Sequence, residues 1–170
     1  MQFLLRSMLC VAIVAIVAGV AVGYAGYARG QFFFDNQLNG KKAPNFALGS
    51  IQGKKVSLDE TIKGKKAILF FWATWCPHCS EQIQELSSHK AELEKQGVVV
   101  LLIDTGEPAN PVRRFAAYRR LEYDVLLDTE GSVSETYQVV GIPTLVFIGT
   151  DGIVRESLHM FPRKYMELLK

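Results

Sequence analysis

Ala67-Ile68-Leu69-Phe70-Phe71-Trp72-Ala73, running straight into Thr74-Trp75-Cys76-Pro77-His78-Cys79, is the stretch whose reading decides the fold. A continuous apolar run of this length, without polar alternation, marks a strand buried on both faces, as in the interior of a largely parallel sheet. From Pro77 onward Ile83, Leu86 and Leu93 recur with Cys79 at helical spacing, while Glu81, Glu85, Lys90, Glu92 and Glu94 supply a wet face. The pattern predicts a helix from Pro77 to a stop at Gly97, with Cys79 turned inward.

Outward from that unit the chain alternates strands and helices. Upstream, Phe46 to Ser50 and Lys54 to Ser57 flank a Gln52-Gly53 turn and read as a hairpin, and Ser57 reads as the cap of a small helix ending near Gly64. Downstream, Val98 to Asp104 is a second buried strand. Asn110 and Pro111 supply an N-cap and first-turn proline for a helix through Arg120, and Val125 to Asp128 is a short strand. Ser132 to Gln138 reads as a short helix, Leu145 to Ile148 and Ile153 to Ser157 as a hairpin across Thr150-Asp151-Gly152, and Pro162 to Leu169 as a closing helix. The order predicts an α/β architecture with a central mixed β-sheet flanked by helices, an N-terminal hairpin and a central strand-helix insertion.

The 170 residues suit one domain plus an appendage, and a formal net charge of +2 with no run of either sign gives no nucleic-acid footprint. Residues 7–28, between Arg6 and Arg29, carry no charge and are mostly Val, Ala, Ile, Leu and Gly. As a helix this run spans roughly 33 Å, enough to cross a bilayer, so residues 1–28 are expected to be an N-terminal membrane anchor. A cleaved signal peptide is the alternative, since Gly26-Tyr27-Ala28 is a passable small-x-small site. Residues 29–42, with a Phe triplet at 32–34, read as a juxtamembrane linker, and residues 43–170 as the folded domain. Charges flank both sides of the apolar run, so they do not orient it. Cys10, inside that run, reads as a small apolar filler.

Cys76 and Cys79 place one thiol at a helix N-terminus and another three residues on, one turn later and on the same side. That spacing suits a reversible disulfide. Unpaired N–H groups and the helix dipole lower the first thiol from about 8.5 into a range of roughly 3.5 to 7.5, which makes Cys76 the expected attacking thiolate. Cys79, more buried, is the expected resolver. Pro77 loses no hydrogen bond in the first turn, and a protonated His78 adds positive charge. Zinc usually wants four protein ligands, and His78, His89 and His159 are the remaining soft candidates, so no metal and no cofactor is expected. Ser80 after Cys79 excludes a c-type haem attachment site.

Gly141-Ile142-Pro143-Thr144 precedes the apolar strand from Leu145, where a plain central strand would not admit proline. A cis bond at Pro143 explains it and turns the Ile142 backbone toward an extended substrate segment beside the thiolate.

Phe71-Trp72-Ala73-Thr74-Trp75-Cys76-Pro77-His78-Cys79, joined with Gly141-Ile142-Pro143-Thr144, resembles thioredoxin, and Ala43-Pro44-Asn45-Phe46 with the strand and helix between Val98 and Leu127 narrows the resemblance to the TlpA/ResA-like family. It covers about Ala43 to Lys170. The resemblance implies a thioredoxin-like fold and a membrane-tethered, outward-facing thiol-disulfide oxidoreductase that mostly reduces disulfides, often in cytochrome c or metal-site maturation. Implied partners are extracytoplasmic protein disulfides and dithiols, and a membrane or periplasmic thiol-disulfide electron partner. The implied location is a bacterial cytoplasmic membrane, crossed once. It assigns Trp75, Pro77 and His78 to tuning, and Gly141, Ile142, Pro143 and Thr144 to the substrate groove.

This chain departs from the pattern in three places. Phe70 stands where thioredoxin has a buried Asp, Gln82 stands where reductive members often carry Glu, and Pro77-His78 resembles the oxidising DsbA type. A DsbA-like oxidant is therefore an open alternative. A thiolate metal-binding or copper-delivery module is a rival of another class. A peroxidase is a third, although Ala73 and Leu69 stand where peroxiredoxins place Thr or Ser and Pro.

Overall fold

The computed structural model describes residues 36–170. The expected anchor at 1–28, Cys10, and the Phe triplet of the linker lie outside the described residues. Among the described residues no helix is long and apolar enough to cross a membrane.

Seven strands form one mixed sheet in the order β2-β1-β5-β4-β3-β6-β7. They are β1 (Ala47–Ser50), β2 (Lys55–Ser57), β3 (Lys66–Trp72), β4 (Val98–Thr105), β5 (Asp124–Asp128), β6 (Thr144–Ile148) and β7 (Val154–Leu158). The helices are α1 (Leu58–Ile62), α2 (Pro77–Ser88), α3 (Lys90–Lys95), α4 (Ala109–Arg119) and α5 (Ser132–Thr136). β3, β4 and β5 run parallel, whereas β6 is antiparallel to β3 and the hairpins β1-β2 and β6-β7 close the two edges.

From Ala67 onward β3 is apolar because both its faces are covered. Ile68, Phe70 and Trp72 pack into one core with Cys79, Ile83, Leu86 and Leu102. Ala67, Leu69 and Phe71 pack into the other with Leu101, Ile103 and Tyr137. Every residue from Ala67 to Ala73 is 0 % exposed. At about 0.8 kcal/mol per buried CH₂, this double burial fixes the register, since a slip of one residue would exchange the two faces.

Several boundaries differ from those the sequence implies. Pro77 to Gly97 is two helices broken at His89 rather than one. Ser87 Oγ donates to the Ile83 carbonyl (2.7 Å) and Ser88 Oγ to that of Glu85 (2.6 Å), so two successive side chains compete for backbone acceptors at the break. Ser57 occupies the N-cap position of α1 without a side-chain cap. Its place is taken by Asn45, whose Oδ1 accepts from the Asp59 N–H at 3.1 Å. α4 begins at Ala109 after Pro108, so Asn110 is not its cap and Pro111 falls later in the first turn. α5 ends at Thr136, and Gln138 has φ 55, outside the helix.

The closing segment is a series of turns with one 3-10 turn at Glu167–Leu169, not a helix from Pro162. Long-range contacts hold it. The Tyr165 hydroxyl donates to Glu92 at 2.7 Å, the Phe161 ring lies 5.4 Å from that of His89, and Arg155 Nε donates to the Lys170 carbonyl at 2.6 Å.

Candidate active site

The register brings three ends of the sheet together. Phe71 pairs with Thr144, so the antiparallel entry of β6 lies beside the exit of β3. Trp72 pairs with Asp104, so the exit of β4 lies there too. The loop from Ala73 to Cys76 leaves β3 at this point and starts α2.

Cys76 is the N-cap residue of α2, and its Sγ accepts the backbone N–H of Cys79 at 3.1 Å. The two cysteines are joined as a disulfide, with Cα atoms 5.3 Å apart. Cys76 is 5 % exposed and Cys79 0 %, so an incoming group reaches Cys76 first. On reduction, the Cys79 N–H that meets Sγ and the helix dipole would favour a thiolate there over a thiol.

The Ile142–Pro143 peptide bond is cis, and the Ile142 carbonyl oxygen lies 4.0 Å from Cys76 Sγ. The Thr144 hydroxyl donates to the Gly141 carbonyl at 2.6 Å, closing this loop on itself. His159 braces it from the end of β7. Its Nδ1 lies 2.8 Å from the Pro143 carbonyl, which can only accept, so Nδ1 carries a proton. The sequence offers His159 only as a soft metal candidate or an ordinary surface residue, because nothing local shows that residue 159 reaches residue 143.

Trp75 stands out from the surface at 69 % exposed. With Thr74, Cys76, Pro77, Phe115 and Arg119 it lines a groove of about 430 Å³. A second hollow of about 400 Å³ shares Ser80, Gln84, Phe115 and Arg119 with it. His78 points to solvent with Nδ1 3.2 Å from Glu81, so any charge it gains is shared with that carboxylate. Gln82 is occupied elsewhere, its Oε1 accepting the Phe161 N–H at 2.6 Å. Phe70 is fully buried in the core that holds Cys79.

Two carboxylates that sequence reading passed over lie at the exit of β4. Asp104 is 0 % exposed, and burial with the nearby Glu107 carboxylate pushes it up to about 8. Glu107 accepts the Thr74 N–H at 2.6 Å and the Thr74 hydroxyl at 2.7 Å, which ties the loop before Cys76 to β4. The available signal was Asp104 itself, the one charge in an otherwise apolar strand, at the position that alternation from Val98, Val100 and Leu102 assigns to the Cys79 face. Among the described residues there is no group of three His, Cys, Asp or Glu side chains able to hold a metal ion.

Residues 39–157 match the family model described as the AhpC/TSA family. Thiol-disulfide oxidoreductase ResA of Bacillus cereus is 32 % identical over 90 % of this chain and 87 % of its own length. The protein of the same name from Bacillus subtilis is 30 % identical over 92 % of this chain and 90 % of its own. Among solved structures, a Chlorobium tepidum protein assigned as thiol:disulfide interchange protein DsbE aligns with TM-score 0.68 at 28 % identity, covering 76 % of this chain and 92 % of that one.

Proposed function

Since this chain belongs to the AhpC/TSA family, has a thioredoxin-like fold and is a thiol-disulfide oxidoreductase, we propose that it reduces disulfides in extracytoplasmic proteins through Cys76 and Cys79. The observation that carries the reading is the Cys76–Cys79 disulfide at the start of α2, with the Ile142 carbonyl 4.0 Å from the outer sulfur. Cys76 is the nucleophile. Its thiolate attacks a substrate disulfide, forming a mixed disulfide and releasing one substrate thiolate, which takes a proton from water. Cys79 then loses its proton and attacks Cys76 Sγ, so the second substrate thiolate leaves and the Cys76–Cys79 bond reforms. Two electrons pass from the dithiol to the substrate, and a thiol-disulfide partner restores them.

Trp75 and Pro77 shape the approach to Cys76. Gly141, Ile142, Pro143 and Thr144 receive the substrate backbone as a short added strand. Residues 7–28 anchor the domain to a bacterial cytoplasmic membrane with the dithiol outside, where disulfides persist. Substrates in cytochrome c or metal-site assembly suit that location.

A Cys79→Ser variant is expected to accumulate substrates as reducible adducts on Cys76 in cells. The absence of any such adduct, with the protein expressed and folded, would remove protein exchange as its work. The Pro77-His78 pair favours one second reading, an oxidant of the DsbA type. The reduction potential separates the two: a reductant lies near about −270 mV and an oxidant near about −120 mV.

A further inference from the structure

Both carboxylate oxygens of Asp104 are fully buried, and among the described residues Glu107 is the group that approaches them as a hydrogen-bond partner. Trp72, its partner across the parallel strands, likewise buries an indole N–H that meets no acceptor. A buried carboxylate without donors is costly, by roughly 1 to 3 kcal/mol or more, and such a group relieves the cost by keeping its proton. The acceptor for that proton is Glu107, whose carboxyl acts on Asp104 as a hydrogen-bond partner. Glu107 in turn holds the Thr74 N–H and hydroxyl, two residues before Cys76.

We propose that Asp104 and Glu107 work as one carboxyl pair sharing a single proton, and that this pair sets the charge beside the Cys76 loop and couples the redox state of Cys76–Cys79 to proton uptake. Glu107 is a positioning residue acting through Thr74, and Asp104 governs its charge. The inference rests on the dithiol being redox-active and is independent of the direction in which electrons flow.

Other charges around Asp104 are already spoken for. From β5, Asp128 faces it as a further negative charge, and its own oxygens accept from Val133, Ser134 and Ser132. On α4, Arg113 donates to the Ile51 carbonyl and Arg119 to Ser80, both exposed. On the helix side, the core entered by Trp72, the cross-strand neighbour of Asp104, also holds Cys76 and Cys79. No cation among these compensates the pair, so the proton does.

Linkage gives the sign. Reduction adds two electrons and one proton to the disulfide, leaving a Cys76 thiolate and a Cys79 thiol. The new negative charge makes the pair hold its proton more tightly, so its titration moves upward in the reduced protein. Between the oxidised and reduced midpoints, reduction takes up one further proton, delivered to the carboxyl pair. Above both midpoints the doubly charged pair opposes the thiolate.

The full chain is equilibrated with dithiothreitol and its cyclic disulfide from pH 6 to 10, and alkylated Cys76 and Cys79 are counted in their own peptide, apart from Cys10. The wild type is expected to show, in a window opening near pH 8, an extra tenfold change in the exchange constant per pH unit. Asp104→Asn is expected to lack that window, and Glu107→Gln to move it to lower pH. If the wild type shows no window, or Asp104→Asn keeps it, the proposal is overturned while a measurable exchange constant leaves the dithiol chemistry standing. Should Asp104→Asn fail to fold, carboxyl ¹³C titration of wild-type Asp104 decides instead. A higher midpoint in the reduced protein supports the coupling, and equal midpoints overturn it.

Discussion

Trp75 is 69 % exposed although it sits between a strand buried from Ala67 to Trp72 and a buried cysteine. A side chain of that size in water contributes little to folding, so its value lies in what it covers when a partner arrives. Trp75→Ala is expected to leave the urea midpoint almost unchanged, within roughly 0.5 kcal/mol, while lowering kcat/KM for a protein disulfide about tenfold. Equal losses in stability and exchange would make Trp75 a structural residue. Phe70 shows the opposite case. It is fully buried in the core of Cys79 where an acid was to be sought, and the acid lies one strand away, at Asp104.

Two helices of this fold, α1 and α5, take their caps from outside the helix and its N-cap residue. The α5 N-terminus is capped by Asp128, the last residue of β5, whose carboxylate accepts from the Val133 N–H at 3.2 Å and the Ser134 N–H and hydroxyl, each at 2.7 Å. Asp128 is 1 % exposed and also accepts from the Ser132 hydroxyl at 3.4 Å, so its removal takes an acceptor from four donors. Asp128→Ala is expected to cost about 2 kcal/mol in urea unfolding, more than the roughly 1 kcal/mol for a surface cap. A cost under about 0.5 kcal/mol would show that the end of α5 is held by other contacts. Apolar periodicity located the strands and α2 well, because burial of one or two faces is written into the residue types themselves. It missed the break at His89, the Asn45 cap and the turns after Pro162, because each is decided by a polar or aromatic partner distant in sequence or by competition within one helical turn.

For the whole molecule, Asp104 also sets how stability depends on pH. Its ordinary value of 3.8 is pushed up to about 8 by burial and by Glu107. The folded state therefore binds more protons than the unfolded one between about pH 4 and 8, and stability falls as pH rises through that window, then levels off. Between pH 5 and pH 8.5 the loss attributable to Asp104 is on the order of 4 kcal/mol, and Asp104→Asn is expected to flatten the decline. Unfolding free energies at pH 5 and pH 8.5 measure it. Equal slopes in wild type and variant would place the decline in other groups. The same residue thus weakens the fold at alkaline pH and, through Glu107 and Thr74, bears on the working loop.

By itself the sequence determined the class of fold, the two thiols one helical turn apart and the proline that precedes β6, because these depend on residue type and local spacing. Tertiary structure alone decided that β6 enters beside the exit of β3, that His159 reaches the Pro143 carbonyl, and that Asp104 meets Glu107. Strand order and register create those contacts, and no local periodicity encodes which strands become neighbours.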